Sequence, residues 1–163
     1  MHFTLTQPFQ HPASLVWDAL LDPKHAAAVH QLGAIRREPV RDEVVDGSRF
    51  VSTRCTSPEE LPTVVQRALG TARLQWFVDE VWRSAAHTVQ WRVRFPQLPD
   101  AVYASGSALL IPRGTSCERL VKGEVRVAIP VIGGKIEARV VEQLSTAYES
   151  AYNITKSFLA GGH

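Results

Sequence analysis

The stretch GEVRVAIPVIGGKIEARVVEQLSTAYESAYNITKSFL, residues 123–159, decides the fold. Gly123, Val125, Val127 and Ile129 share one side of an extended segment, the period-two pattern of a strand with one buried face. Pro130 ends that strand, and Gly133-Gly134 forms a tight corner rather than a phosphate-binding turn. Beyond the corner, Ile136, Val140, Leu144, Ala147, Ala151, Thr155 and Phe158 fall on one helical stripe. Val141, Tyr148, Tyr152 and Leu159 widen the stripe, while Lys135, Arg139, Glu142, Thr146, Glu149, Asn153 and Lys156 take the opposite face. A stripe this broad predicts an amphipathic helix buried along one side. At 1.5 Å per residue it runs for about 40 Å, so it needs a wide surface to lie on.

The preceding chain supplies that surface. His2 to Phe9 alternates, with Phe3, Leu5, Gln7 and Phe9 on one face, and predicts a first strand. Pro12 suits a helix start, and Asp22-Pro23 breaks that helix because the residue before proline leaves the α region. A second short helix is predicted from Lys24 to Leu32, closed by Gly33. Ala34 to Thr56 returns to extended patterns around an Asp46-Gly47 hairpin turn. Ser57 to Gly70 reads as an insertion carrying a short helix, with Leu61, Val64, Val65, Ala68 and Leu69 in helical rhythm. Four strands follow. Leu74, Trp76, Val78, Glu80 and Trp82 share a face of the first, and Val89, Trp91, Val93 and Phe95 share a face of the second. Ala104, Gly106 and Ala108 recur on the third, leaving room for a large neighbour, a ligand or a bend. The fourth is the strand of the opening stretch.

Composition narrows the function. The chain has 163 residues, 45% hydrophobic and 21% charged, enough for one domain spanning 1–163 with a real core. A net charge of +2 lacks the one-sided density that phosphate backbones select, so no nucleic-acid partner is expected; Arg36-Arg37 and Arg92/Arg94 read as solvated strand faces. Cys55 and Cys117 have neither disulfide-scaffold nor zinc spacing. The N-terminus lacks a signal-peptide pattern and no segment has the apolar length of a membrane span, so a cytoplasmic protein is expected. His2, His11, His25, His30, His87 and His163 show no metal-ligand spacing and read as surface or capping residues. No metal or cofactor is expected, and no catalytic motif is present.

Strand, two short helices, about six strands and a long terminal helix form an α+β arrangement with an antiparallel sheet. The opening Val16-Trp17, Leu20 and Asp22-Pro23 and the close Gly123-Glu124-Val125 with Pro130-Val131-Ile132-Gly133-Gly134-Lys135-Ile136-Glu137 give this order a name. In them the chain resembles the START-like (SRPBCC) superfamily of polyketide cyclases and birch-pollen-type allergens. The close, with Leu61-Pro62 and Leu69-Gly70 upstream, resembles an uncharacterised bacterial family within it. The resemblance implies a helix-grip fold, a curved sheet of about seven strands around the long helix, with a hydrophobic cavity between them. It brings no catalytic motif, because fold does not fix function.

The inner faces then give the candidate ligand-binding residues. They are Trp76, Val78 and Glu80; Val89, Trp91 and Val93; Ala104, Gly106 and Ala108; Arg119 and Val125; and Leu144, Tyr148, Ala151 and Tyr152. Arg54, Glu80 and Arg119 are charges predicted on inner faces, where an ion is costly unless paired. The leading expectation is a binder of an apolar or lipid-like small molecule. The alternatives are a cyclase or dehydratase using Glu80, Arg119 and a tyrosine, and a co-chaperone-type interaction module centred on Ser57–Gly70.

Overall fold

The computed structural model describes residues 1–161; Gly162 and His163, the last of the histidines above, lie outside the described residues. In chain order the elements are β1 (His2–Phe9), α1 (Ala13–Leu21), α2 (Pro23–His30), β2 (Arg36–Val45) and β3 (Ser48–Glu60). Then come α3 (Thr63–Leu69), β4 (Arg73–Arg83), β5 (Thr88–Arg94), β6 (Val102–Arg113), β7 (Ser116–Val127) and α4 (Gly133–Leu159). The strands form one antiparallel sheet in the order β1-β7-β6-β5-β4-β3-β2. With its curved sheet, long C-terminal helix and short helices after β1, the protein has the helix-grip α+β fold.

Directly opposed residues of an antiparallel ladder share a face, so the register writes the inner face in rows. One row runs Phe3–Gly123–Gly106–Trp91–Glu80–Val51 from β1 to β3. The next towards α1 is Leu5–Val121–Ala108–Val89–Trp82–Arg49, and beyond it lie Gln7–Arg119–Leu110. On the other side lies Val125–Ala104–Val93–Val78.

Two glycines shape the first of these rows. The Trp91 ring lies over them: a Cβ on Gly106 would come within 2.5 Å of that ring and 2.3 Å of the Lys122 carbonyl oxygen. A Cβ on Gly123 would meet the Phe3 ring at 2.4 Å. Trp91 therefore sinks onto bare backbone, and with Ala104, Val125 and Val127 it forms a buried cluster. Phe3, Val93, Ile136, Val140, Val141 and Leu144 pack around that cluster, seating the N-terminal half of α4. A second cluster of Phe9, Ala13, Val16, Trp17, Val89, Leu110 and Cys117 sits under α1, flanked by Tyr152 and Leu159 of α4.

Polar ties fix the start of α4. Glu137 accepts a 2.8 Å hydrogen bond from the Val127 amide and an ion pair from the N-terminal ammonium at 3.4 Å. That ammonium also donates to the Val125 carbonyl at 2.5 Å. At the corner, a Cβ on Gly133 would lie 2.3 Å from the Val127 carbonyl oxygen, so the helix can start this close only with glycine there.

Several predicted details change. Arg54 faces outward, opposite Phe77 and Glu38, and pairs with Glu38 at 2.7 Å; the charge on β3 that shares the face of Trp82 is Arg49. Position 54 lies one residue off the inner period, and a one-residue slip reverses a strand's face. Arg37 is not solvated but donates to the carbonyls of His30 and Leu32 at the end of α2. Strand β3 continues to Glu60 beyond a register shift after Thr56, so the insertion shrinks to α3. Ala147 is exposed, because at that level α4 turns Tyr148 and Ala151 inward instead.

The overlap at Gly106 sets an expectation. Gly106→Ala should lower the unfolding free energy by about 2–3 kcal/mol, the usual cost of overpacking a filled core. Gly134→Ala, whose Cβ meets nothing within 4 Å, should leave it unchanged or raise it. Urea titration of the two variants checks this contrast.

Candidate functional site

The packed cluster around Trp91 fills the interior beneath the first half of α4. Beneath the second half the sheet face and the helices stand apart, leaving a partly open cavity of about 200 Å³. Its roof is Trp17 and Leu20 of α1 with His25, Ala26, Val29 and His30 of α2. Its floor includes Glu80, Trp82, Val89, Ala108, Leu110 and Arg119, and Tyr148 and Ala151 of α4 form one wall. His87, in the turn between β4 and β5, stacks on Trp17 at 5.3 Å between ring centres.

Of the residues predicted from the sequence, the structure brings Glu80, Val89, Ala108, Arg119, Tyr148 and Ala151 together around this cavity. Trp91, Val93, Ala104, Val125 and Leu144 belong to the packed cluster instead, and Gly106 is the notch under Trp91. Val78 pairs with Val93 in that region, and Trp76 stacks on Phe95 at 6.2 Å. Tyr152 packs edge-on against Phe9 at 5.1 Å and donates its hydroxyl to the Pro8 carbonyl. Sequence reasoning missed the roof. The period-two pattern placed Trp82 beside Glu80, but nothing in it says that α1 and α2 cover that end of the sheet.

The roof histidine is also a correction: His25 is buried, not a surface or capping residue. Its Nε2 lies 2.9 Å from the Thr155 hydroxyl, which donates its only proton to the Ala151 carbonyl at 2.8 Å. Nε2 must therefore carry the proton and donate to Thr155. Burial lowers the His25 pKa, the Arg119 charge lowers it further, and Asp22 opposes them. Burial, and then Arg37, lower His30 in the same way.

Two ionisable groups define the ends of the floor. Arg119 is 6% exposed. Its Nε and Nη2 both donate to the Gln7 side-chain oxygen, at 2.8 and 2.5 Å, and Gln7 in turn donates to the Tyr148 carbonyl at 3.2 Å. The Phe9 and Tyr148 rings flank the guanidinium, each 5.7 Å from its carbon, in cation–π range. No Asp or Glu among the described residues pairs with Arg119. Burial pulls its pKa down, and the Tyr148 hydroxyl beside it is pushed up chiefly by its own desolvation.

Glu80 is half-buried and lines the cavity. Desolvation pushes its pKa from the ordinary 4.5 up to about 6, against the pull of the Trp82 indole N–H and of Arg49. Arg49 cannot neutralise it, since both arms of its fork are held by Asp42 at 2.8 and 2.7 Å. No cluster of His, Cys, Asp or Glu among the described residues has metal-binding geometry.

The raised Glu80 pKa gives a stability prediction with a definite sign. The folded chain holds that proton more tightly than the unfolded one, so stability falls as pH rises from 4.5 to about 6. Above this window the carboxylate costs up to about 2 kcal/mol, from 1.36 kcal/mol per pKa unit. Glu80→Gln should therefore stabilise the protein by about 1–2 kcal/mol near pH 8 and change little near pH 4. Equal effects in denaturant titrations at the two pH values would show that the carboxylate is well solvated.

The geometry can be set beside known proteins. The protein TTHA0849 of Thermus thermophilus aligns over 99% of this chain and 98% of its own, with a TM-score of 0.67 at 14% identity. The Zhui aromatase/cyclase from Streptomyces sp. R1128 aligns over 98% and 93%, with a TM-score of 0.66 at 13% identity. Norcoclaurine synthase from Thalictrum flavum, solved with dopamine and hydroxybenzaldehyde, aligns over 98% and 87%, with a TM-score of 0.60 at 17% identity. At such identities the likeness establishes the START-like, birch-pollen-allergen-type fold and nothing finer. No curated protein sequence matches the chain. The profile of the family described as "Protein of unknown function (DUF2505)" matches residues 4–159. With almost the whole chain matched, the protein belongs to that family, an uncharacterised branch of the helix-grip fold.

Proposed function

We propose that the protein binds a small, largely apolar molecule in the cavity between α1, α2, the second half of α4 and the floor of β4–β7. The supporting observation is the cavity itself, about 200 Å³ and walled mainly by apolar side chains, next to the packed cluster around Trp91. An engineered apolar cavity of about 150 Å³ takes up benzene. A substituted ring therefore suits this volume better than a long acyl chain, which narrows the expectation of an apolar or lipid-like ligand. The single-ring compounds in the norcoclaurine synthase structure are of that size class. None of the described helices is long and apolar enough to cross a membrane.

One observation favours a second reading. Glu80, with a pKa of about 6 and no ion-pair partner among the described residues, is poised as a general acid or base inside the cavity. A proton transfer to or from a bound ligand is the chemistry it could supply. The interaction-module reading has no such support: in α3 and its flanks Val64 alone is a strongly exposed large hydrophobic residue, which is not a patch.

Native mass spectrometry of the purified protein should reveal a retained ligand. A panel of one- and two-ring apolar compounds should contain members that raise the Tm, since ligand at 100 times its Kd stabilises by about 2.7 kcal/mol. Ala151→Leu extends a side chain from α4 into the cavity and should abolish those shifts while the protein stays folded. If no compound shifts the Tm, or the shifts survive Ala151→Leu, the cavity is not a binding site.

A further inference from the structure

We propose that the cavity takes a small organic monoanion, with its carboxylate seated on the Arg119 guanidinium and its apolar body against Trp82, Val89 and Leu110. This rests on the binding reading above and adds the charge and orientation of the ligand.

A guanidinium almost entirely withdrawn from water needs a compensating negative charge or a full set of hydrogen-bond acceptors. Among the described residues Arg119 has neither. Its Nε and Nη2 share one neutral acceptor, the Gln7 oxygen, and its Nη1 makes no hydrogen bond among the described residues. The flanking Phe9 and Tyr148 rings attract the charge through their faces but leave the edge of the guanidinium unsatisfied. That residue is part of the cavity floor. A carboxylate is the group whose planar two-oxygen geometry matches an arginine fork.

The neighbours of Arg119 fit the same occupant. The Tyr148 ring lies beside Arg119 and lines the cavity, and burial keeps its hydroxyl protonated and hence able to donate. Burial and the Arg119 charge keep His25 neutral, so it adds no second cation. Glu80, which would repel an anion, stands on β4 with β5 and β6 between it and β7. Three strand spacings amount to about 14 Å along the sheet, so Glu80 faces the far end of a one-ring ligand. The cavity is thus polarised, cationic at β7 and acidic at β4, with an apolar stretch between.

Phenylacetate and phenylacetamide test this, because they share shape and differ in charge. Isothermal titration calorimetry near pH 7.5 should show phenylacetate binding about tenfold or more tighter than phenylacetamide. Arg119→Gln should bring the two affinities within about threefold by weakening the anion alone. Arg119→Lys keeps the charge without the fork and should weaken phenylacetate severalfold while sparing the amide, which covers the case of a glutamine variant that does not fold. Equal affinities in the wild type, or tighter binding of the amide, overturn the anion proposal and leave the cavity a binding site. An anion preference that survives in Arg119→Gln also overturns it, by placing the seat elsewhere. Absence of binding by both probes counts against the anion proposal and the binding reading together.

Discussion

The interior depends on one close approach, the Trp91 ring against bare backbone at Gly106 and Gly123. Any side chain at those two positions would lift the indole off β6 and β7, and the cluster it anchors is what the first half of α4 rests on. Because Trp91 lies so low, Ile136, Val140 and Leu144 reach the sheet over a filled core. The second half of α4 meets different partners: Tyr152 and Leu159 flank the cluster under α1, and Thr155 is bonded to His25 of α2. The helix is thus supported by the sheet at one end and by two short helices at the other. The cavity occupies the ground between the two supports.

Charge is confined to the same ground. The cluster around Trp91 shows that this sheet can close on α4 with apolar side chains alone. Arg119 and Glu80 lie outside that cluster, at the end where α1 and α2 form the cover. Each loses solvation there without gaining an ion pair, a net cost to folding that an apolar residue of similar size would avoid. Strained or uncompensated groups retained at a cavity are the usual signature of a site shaped for something other than stability. Surface charges elsewhere on the sheet behave in the opposite way. Arg94 with Asp79 and Arg54 with Glu38 are both paired.

Much of the fold was legible in the sequence because its signals are local. The period-two runs of β5 and β7, the Asp22-Pro23 break and the stripe from Ile136 to Phe158 each follow from a few neighbouring residues. The candidate site was legible only in part. Alternation correctly put Glu80 and Val89 on the inner face, and Ala108 and Arg119 share it, but alternation cannot tell which stretch of that face is filled. The small residues at 104, 106 and 108 show the limit. They looked equivalent along the strand, yet Ala104 and Gly106 accommodate Trp91 while Ala108, one row on, lines open space. What separates them is the height of a side chain from another strand. Arg54 failed for the opposite reason, since its neighbours on β3 do not alternate cleanly enough to fix the register without the pairing to β4.

The cavity walls differ in how costly they are to move. The floor is strand backbone bonded on both sides, so displacing it breaks ladders. The α4 wall is held at one end by the Trp91 cluster and at the other by the contacts of Tyr152 and Leu159. The roof segment α2 has only eight residues, PKHAAAVH, whose apolar side chains are three alanines and one valine beyond the initial proline. Small side chains bury little area, so little hydrophobic free energy holds α2 down. Its polar ties are the His25–Thr155 hydrogen bond, the Arg37 donation to the His30 carbonyl and the Asp22 cap on the Lys24 amide. A short helix that buries so little apolar area is where local opening is least costly. The same histidine that ties α2 to α4 also lines the cavity beside Arg119.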